Sequence, residues 1–196
     1  MLLTARDTAA LEEVAAEVQR LGRKAHVVAC DVIEEEQVRA MVDRALGVFD
    51  GRIDILVNVA GVTGPIETPV QDIKVEDFDY VITANERGTF LPIKHVVPTM
   101  IGQREGKIVN ISGTSGLRGY PMRTAYSASK FAVEGWSDAL RLELRGTGIH
   151  VSLLQPGPIR SRMLDNSRDR FINTIDIRNS RFRHDYGREL SRLSVS

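Results

Sequence analysis

The stretch "IDILVNVAG", residues 53–61, is a run of apolar residues that ends in small and polar ones. An apolar run of this length, rich in β-branched residues, is typical of a buried strand. Further runs of the same kind are "MLLTAR" (1–6), "KAHVVACDV" (24–32), "KIVNIS" (107–112) and "HVSLLQPG" (150–157). The sequence therefore predicts five strands, of which residues 53–61 form the third.

Helical segments separate these strands, and we predict them at residues 8–22, 34–49, about 75–104 and 125–148. Pro92 and Pro98 are expected to interrupt the third. Asp7 or Thr8 is the predicted N-cap of the first. That helix carries one apolar stripe, formed by Leu11, Val14, Ala15, Val18 and Leu21. Strands that alternate with amphipathic helices predict a doubly wound α/β fold, with a parallel sheet covered on both faces.

Composition limits the kinds of partner. The 196 residues include 42% hydrophobic and 27% charged residues, as expected for one globular domain. Lysine plus arginine (26) equals aspartate plus glutamate (26), so no overall field attracts nucleic acid or an anionic membrane. The single cysteine, Cys30, is interpreted as a buried filler. We predict a soluble cytoplasmic protein with no nucleic-acid partner, no membrane partner and no metal site.

Small or polar residues follow four of the predicted strands. They are Asp31, residues 58–61, residues 112–115 and residues 156–157. Ligands bind at the carboxyl ends of the strands in sheets of this kind. Each loop taken alone is equally well explained as a tight turn. Four of them at one edge favour a binding site.

Four motifs, in this order and at these separations, resemble the short-chain dehydrogenase/reductase family. They are "NVAG" (58–61), "NERG" (85–88), "YSASK" (126–130) and "QPGPIRSRM" (155–163). The resemblance implies a Rossmann-like, three-layer domain over residues 1–163. Residues 164–196 resemble the family's variable substrate-lid segment, with an incomplete C-terminus.

Tyr126 and Lys130 lie one helical turn apart, so their side chains share a face of the predicted helix. A free phenol has a pKa of about 10, and a neighbouring ammonium is expected to lower this pKa. The pair is therefore a candidate general acid/base, although a solvated helix face explains it when taken alone. By resemblance, Lys130 also holds the ribose of a nicotinamide cofactor. Asn85 would hold a water that links the lysine to solvent.

The resemblance also implies cofactor-binding residues. Asp31 corresponds to the aspartate at the adenine amine, and Val32 lies beside the adenine ring. The residues along the adenosine and the sheet centre are Asn58, Ala60 and Gly61. The residues that fix the nicotinamide carboxamide are Pro156, Gly157, Ile159 and Ser161.

Arg6 bears on the choice of cofactor. It lies after the first predicted strand, where enzymes that use NAD tend to have an acidic residue. A guanidinium suits a ribose phosphate, so we predict NADP(H), with NAD as the alternative. An exposed arginine at a strand end is also commonplace.

The sequence departs from the family at its start. The family opens with a strand and a glycine-rich turn, and the sequence from Met1 onward has no such pattern. By resemblance, Met1 is expected to fall inside the family's second strand. In the family's strand order the missing strand is central, so we expect a sheet that is interrupted in the middle. The expected explanation is a truncated gene model or a fragment, and the alternative is a degenerate protein.

The second departure is Gly113. It occupies the position, thirteen residues before Tyr126, where the family normally has its catalytic serine. Ser112 is the best substitute, but on an extended segment it points to the opposite face. Thr114 and Ser115 reach the site only if the loop bends.

Three functions remain open at this stage. The first is an NADP(H)-dependent oxidoreductase that interconverts a small-molecule alcohol and a carbonyl by hydride transfer. The second is a catalytically impaired nucleotide-binding regulator. The third is a non-catalytic module that dimerises through the helices around Asn85 and Trp136. The resemblance implies a homodimer or homotetramer, and the substrate is not encoded in these motifs.

Overall fold

The computed structural model describes residues 1–157, 159, 169, 172–173, 176, 183–184 and 186–188. Its strands are β1 (Leu2–Ala5), β2 (His26–Ala29), β3 (Ile55–Asn58), β4 (Gly106–Ile111) and β5 (Ile149–Leu154). Its helices are α1 (Thr8–Arg20), α2 (Glu35–Val48), α3 (Val75–Ile82), α4 (Gly88–Gln103) and α5 (Thr124–Glu143). The predicted alternation of strands and helices is confirmed. Serine 161, predicted to bind the carboxamide, and most of the predicted lid segment lie outside the described residues.

All described strand pairs are parallel, and they form two sheets with the orders β1-β2 and β3-β4-β5. Helices lie on both sides, which confirms the doubly wound α/β class. No described strand joins β1 to β3, so the expected interruption in the middle of the sheet is present. Ile55 and Val57 of β3 are 59% and 52% exposed in consequence.

One hydrophobic core holds the two sheets together. Val38 of α2, Met100 of α4 and Ile108 of β4 are completely buried in it. Leu2 of β1 and Leu56 of β3 pack against the same cluster from either side of the interruption. Burying one such side chain contributes about 1.5–3 kcal/mol. The core therefore keeps the carboxyl ends of the strands in one plane although the ladder of hydrogen bonds is broken.

The long helix predicted over residues 75–104 is interrupted, but not by its prolines. Pro92 and Pro98 lie inside α4, and the break is a π-helical turn at Thr83–Arg87 between α3 and α4. A proline removes one backbone donor from a helix, whereas Leu91, Ile93 and other buried residues hold α4 against the core. The predicted position of the break was therefore wrong. The π turn places Asn85 in the interior.

Helix α1 is only partly buried. Asp7 caps it as predicted, with its side chain 3.1 Å from the backbone nitrogen of Ala10. Leu11 and Ala15 are buried, whereas Val14 and Leu21, predicted on the same stripe, are exposed. Among the described residues, α1 packs mainly on the two strands β1 and β2. A two-stranded sheet is narrow, so it covers part of the stripe.

Cys30 is a buried free cysteine, as predicted. Within the described part of the chain, no helix is both long enough and apolar enough to cross a membrane. The same residues contain no cluster of three or more His, Cys, Asp or Glu side chains arranged to hold a metal ion.

Candidate active site

A cavity of about 340 Å³ opens at the carboxyl ends of β1, β2 and β3. Five residues predicted to bind the cofactor line it together, namely Arg6, Asp31, Val32, Ala60 and Gly61. Tyr80 and Ala84 close one side. Pockets for small ligands begin at about this volume. Both sheets contribute to the cavity, so the interruption between them leaves this end of the crevice intact.

Arg6 lies at the cavity wall with two partners. Its Nη1 atom donates to the Tyr80 hydroxyl at 3.3 Å and lies 3.8 Å from a carboxylate oxygen of Asp31. The hydrogen bond with Tyr80, and the charges of Tyr80 and Asp31, raise the pKa of Arg6. Sequence reasoning missed Tyr80, because it is 74 residues from Arg6 and lies on a helix with no motif.

Asp31 is fixed by its own loop. Its backbone N–H donates to the Gln37 side chain at 2.9 Å, and its Oδ1 accepts from the backbone of Ile33 at 3.3 Å. This local turn holds the carboxylate at the start of the segment that leads into α2. Val32 follows directly and lines the cavity, and its expected place beside an adenine ring stays a prediction.

Asn58 differs from the other predicted cofactor residues, because its side chain lies in the interior. Its amide nitrogen donates to Asn110 Oδ1 at 2.9 Å, and Asn110 in turn donates to the Ser137 hydroxyl at 3.0 Å. This buried chain of polar groups joins β3 to β4 and α5. The Asn58 side chain therefore braces the sheet, and Ala60 and Gly61 form the adjacent cavity wall.

Asn85 is completely buried and holds the loop after β3. Its Oδ1 accepts from the backbone N–H of Val62 at 2.7 Å. Its Nδ2 donates to the Val62 carbonyl and to the Ser129 hydroxyl, both at 2.9 Å. A Cβ atom on Gly61 would lie 3.1 Å from Asn85 Oδ1 and 3.9 Å from Lys130 Nζ. Asn85 thus brings Gly61 against α5. The expected role of Asn85 in holding a water stays a prediction.

Lys130 is buried beside Tyr126, as the helical spacing predicts. The lysine is 6% exposed, its Nζ donates to the Ile111 carbonyl at 3.0 Å, and Nζ lies 5.8 Å from the centre of the Tyr126 ring. Burial lowers the pKa of Lys130 to about 8, partly offset by the charge of Glu134. The ammonium is therefore still mostly protonated at neutral pH.

The expected electrostatic effect on Tyr126 differs from the observed one. Burial raises the pKa of Tyr126 above its ordinary value of 10.0, and the opposing charge is that of Arg123. The net shift is therefore opposite to the expected lowering, and the charge that opposes it belongs to Arg123 and not to Lys130. Desolvation penalises the phenolate more strongly than the nearby cation favours it.

Gly113 faces Tyr126, and Ser112 does not. A Cβ atom built on Gly113 lies 3.9 Å from the Tyr126 hydroxyl. The Ser112 hydroxyl is buried, has no hydrogen-bond partner among the described residues, and lies 2.5 Å from the Cβ position of Gly116. The structure thus places Gly113 at the position inferred from the register, and directs the proposed substitute, Ser112, towards a different contact.

The loop after β5 carries the predicted carboxamide residues. Pro156 and Gly157 follow the strand directly, and Ile159 is exposed. Gln155 ties the start of this loop to α5, because its Nε2 donates to a Glu134 carboxylate oxygen at 2.8 Å.

A buried ion pair near Tyr126 was not anticipated. Arg123 Nη2 and Nε lie 3.1 and 3.2 Å from Oε1 of Glu67, and the two side chains are 18% and 7% exposed. The hydroxyl of Tyr186 donates to the Glu67 carbonyl at 2.9 Å. Glu67 and Arg123 are 56 positions apart in the sequence, and for this reason no local pattern indicated the pair.

Comparison with known proteins identifies relatives of this chain. The family profile described as short chain dehydrogenase matches residues 1–171. The 3-oxoacyl-[acyl-carrier-protein] reductase FabG of Thermotoga maritima is 34% identical over 171 residues, which are 85% of this chain and 68% of that protein. The uncharacterized oxidoreductase YbbO of Escherichia coli is 40% identical over 71% of this chain, but this region is 51% of its own length.

Solved structures give the same result. A xylitol dehydrogenase with bound NAD⁺ has a TM-score of 0.81 and 33% identity, over 90% of this chain and 68% of its own. A metagenomic short-chain oxidoreductase in complex with NADP has a TM-score of 0.75 and 34% identity, over 80% of this chain and 70% of its own. The chain belongs to the short-chain dehydrogenase/reductase family, a family of NAD(P)-dependent oxidoreductases that act on CH–OH and C=O groups.

Proposed function

We propose that this chain carries the acid/base and nicotinamide-cofactor site of an oxidoreductase that interconverts a small-molecule alcohol and a carbonyl. The observation that supports this most strongly is the placement of Tyr126 and Lys130. Both lie on one face of α5, beside Gly61 and the turn after β4, with Lys130 buried and Tyr126 partly buried. This is the edge of the fold at which parallel strands end and ligands bind.

Each residue has a separate task in the proposed reaction. The cofactor supplies or accepts the hydride when it is bound. The Tyr126 hydroxyl gives its proton to the carbonyl oxygen during reduction and takes it back during oxidation. The raised pKa of Tyr126 favours its role as proton donor in carbonyl reduction, because the phenol is fully protonated at neutral pH. Lys130 supplies positive charge beside the tyrosine and a donor for the ribose, and Asn85 positions the loop at Gly61.

The described residues fit most of a dinucleotide. The cavity at Asp31, Val32 and Ala60 accommodates the adenosine end, and the close approach of Gly61 to Asn85 leaves room for a ligand where a side chain would intrude. The loop at Pro156 and Gly157 suits the nicotinamide end. A glycine-rich turn for the diphosphate is not among the described residues.

We propose NADP(H) as the preferred cofactor because of Arg6. Its guanidinium stands at the cavity wall, held by Tyr80, and presents positive charge where a ribose phosphate would lie. Among the similar solved structures, one has bound NAD⁺ and another NADP, so they do not distinguish the two cofactors. Arg6 is therefore the basis for proposing NADP(H).

A nucleotide-binding protein with little catalysis is the second candidate. The observation that favours it is Gly113, which leaves no side-chain hydroxyl at the position facing Tyr126. Binding and turnover experiments separate the two candidates directly.

The proposed homodimer or homotetramer is supported by exposed apolar residues on α4 and α5. Phe90, Ile101, Phe131 and Leu142 are exposed on these helices. Asn85 is buried and Trp136 packs against the core, so neither side chain forms this surface. The third hypothesis, a non-catalytic dimerising module, uses the same two helices.

The test of function begins with fluorescence titration of NADPH and NADH, followed by turnover with a panel of aldehydes and ketones. We expect tighter binding of NADPH and measurable carbonyl reduction. Arg6→Ala should weaken NADPH binding about ten-fold and leave NADH binding nearly unchanged, because one charged contact with a phosphate is lost. Arg23→Ala, at the opposite end of β2, is the control. Equal loss for both nucleotides would contradict the role of Arg6, and binding without turnover would favour the second candidate.

A further inference from the structure

The Glu67–Arg123 pair joins two segments at the candidate site. Glu67 belongs to the loop that follows β3, just beyond the part held by Asn85. Arg123 is the residue at the N-terminal end of α5, three positions before Tyr126. The two side chains are among the least exposed charged groups described near the site. Their contact fixes the start of the catalytic helix against this loop.

The backbone at Glu67 is itself constrained. Glu67 has a φ of +51°, a conformation that residues with a side chain adopt at a cost. The buried Tyr186 hydroxyl donates to the carbonyl of the same residue at 2.9 Å. A strained, buried acidic residue that is held through both its side chain and its backbone is typical of a functional constraint.

We propose that Glu67 is a positioning residue for Tyr126, because it holds the Arg123 guanidinium at the start of α5 and offsets its charge there. This inference rests on the proposed role of Tyr126 as the acid/base group. In the contacts of the described residues, Glu67 acts on Tyr126 through Arg123.

The charges around Tyr126 support this assignment. Its own helix contributes Arg123 and Lys130, and the loop after β3 contributes Glu67. On the turn after β4, Arg118 donates to Tyr120, and Gly113, the residue that faces Tyr126, carries no charge. The charge of Arg123 opposes the rise in the pKa of Tyr126 that burial causes. Removal of the Glu67 charge leaves more of the Arg123 charge to favour the phenolate, so it should lower the pKa of Tyr126.

The experiment follows the ring ¹³Cζ NMR resonance of Tyr126 against pH, assigned by its loss in Tyr126→Phe. Glu67→Gln keeps the size of the side chain and removes its charge. We expect the midpoint to fall by about half to one pH unit. The positive charge of Arg123 favours the Tyr126 phenolate, and Glu67 affects the phenolate only by offsetting that charge. The double variant Glu67→Gln/Arg123→Gln should return the midpoint towards the wild-type value. The pH profile of kcat for carbonyl reduction should move in the same direction.

Glu105→Gln is the matched control, because Glu105 pairs with Arg52 at 2.7 Å on the exposed surface. It should leave the Tyr126 midpoint unchanged. An unchanged midpoint in Glu67→Gln, or a fall that persists in the double variant, would overturn the inference. If Glu67→Gln does not fold, Arg123→Gln decides: the midpoint must rise, and a constant midpoint overturns it. A shifted midpoint in a protein without turnover would count against the proposed function alone, and turnover with an unmoved midpoint against this inference alone.

Discussion

The Cβ position of Gly113 lies 3.9 Å from the Tyr126 hydroxyl, and no other atom outside its two chain neighbours is within 4 Å of it among the described residues. There is therefore space for a side chain that faces the Tyr126 hydroxyl. The backbone opposes one, because Gly113 has a φ of +156° and a ψ of 172°, a region that is almost exclusive to glycine. The space at residue 113 thus permits a side chain, whereas the backbone conformation there disfavours one.

Gly113→Ser should raise the rate of carbonyl reduction about ten-fold, because it supplies a hydrogen-bond donor beside the reacting oxygen. It should also lower the free energy of unfolding by about 1–3 kcal/mol through backbone strain. Gly113→Ala is the matched control, since it carries the same strain without the hydroxyl. Steady-state kinetics and urea unfolding of both variants test the prediction. Equal rates for the two variants would show that a hydroxyl at residue 113 does not reach the substrate.

Tyr126→Phe should reduce turnover at least about 100-fold, because the proton donor is lost. The cofactor Kd should stay within about two-fold, since the ring and its packing remain. Lys130→Ala should weaken both turnover and cofactor binding, because in the proposed mechanism the Lys130 ammonium lies beside the tyrosine and donates to the ribose. Nucleotide fluorescence and single-turnover rates measure the two effects separately. Normal turnover in Tyr126→Phe would refute the acid/base assignment.

Lys130 should make stability depend on pH in the alkaline range. Its pKa is about 8 in the folded protein and 10.5 ordinarily, so the unfolded chain binds more protons between these values. Stability should therefore rise by about 2–3 kcal/mol as pH increases through this window. Above pH 10 the raised pKa of Tyr126 acts in the opposite direction, because the unfolded phenol then ionises first. Urea unfolding at a series of pH values gives the slope.

The matched variants for this slope are Lys130→Met and Lys107→Met. Lys130→Met removes the buried ammonium and should flatten the rise. Lys107 is exposed on β4, so Lys107→Met should leave the slope unchanged. The same slope in wild type and Lys130→Met would mean that another group titrates in this range.

The interrupted sheet predicts unequal costs for two substitutions in neighbouring strands. Val57 is half-exposed at the edge of β3, so Val57→Thr should change the free energy of unfolding by less than about 0.5 kcal/mol. Ile108 in β4 is completely buried, so Ile108→Ala should cost about 2–5 kcal/mol. Chemical unfolding of both variants checks this. A loss of several kcal/mol from Val57→Thr would indicate that the edge of β3 is covered in solution.

The sequence by itself determined the alternation of strands and helices and the face shared by Tyr126 and Lys130. It also determined the convergence of Asp31, Ala60 and Gly61 at one sheet edge. These features depend on periodicity and chain order, which neighbouring residues encode locally. The position of Gly113 opposite Tyr126 was expected from the resemblance to the family, which has a serine thirteen residues before the tyrosine.

Only the tertiary structure decided which groups meet across long separations and how burial changes their chemistry. Arg6 meets Tyr80, and Glu67 meets Arg123, over 74 and 56 residues respectively. The rise in the pKa of Tyr126 depends on how much water the surrounding elements exclude, which helical spacing does not specify. The π turn at Asn85 arises from buried contacts with Val62 and Ser129 that no local motif records. Distance in space and exclusion of solvent are properties of the packed molecule, and for this reason the structure was needed to establish them.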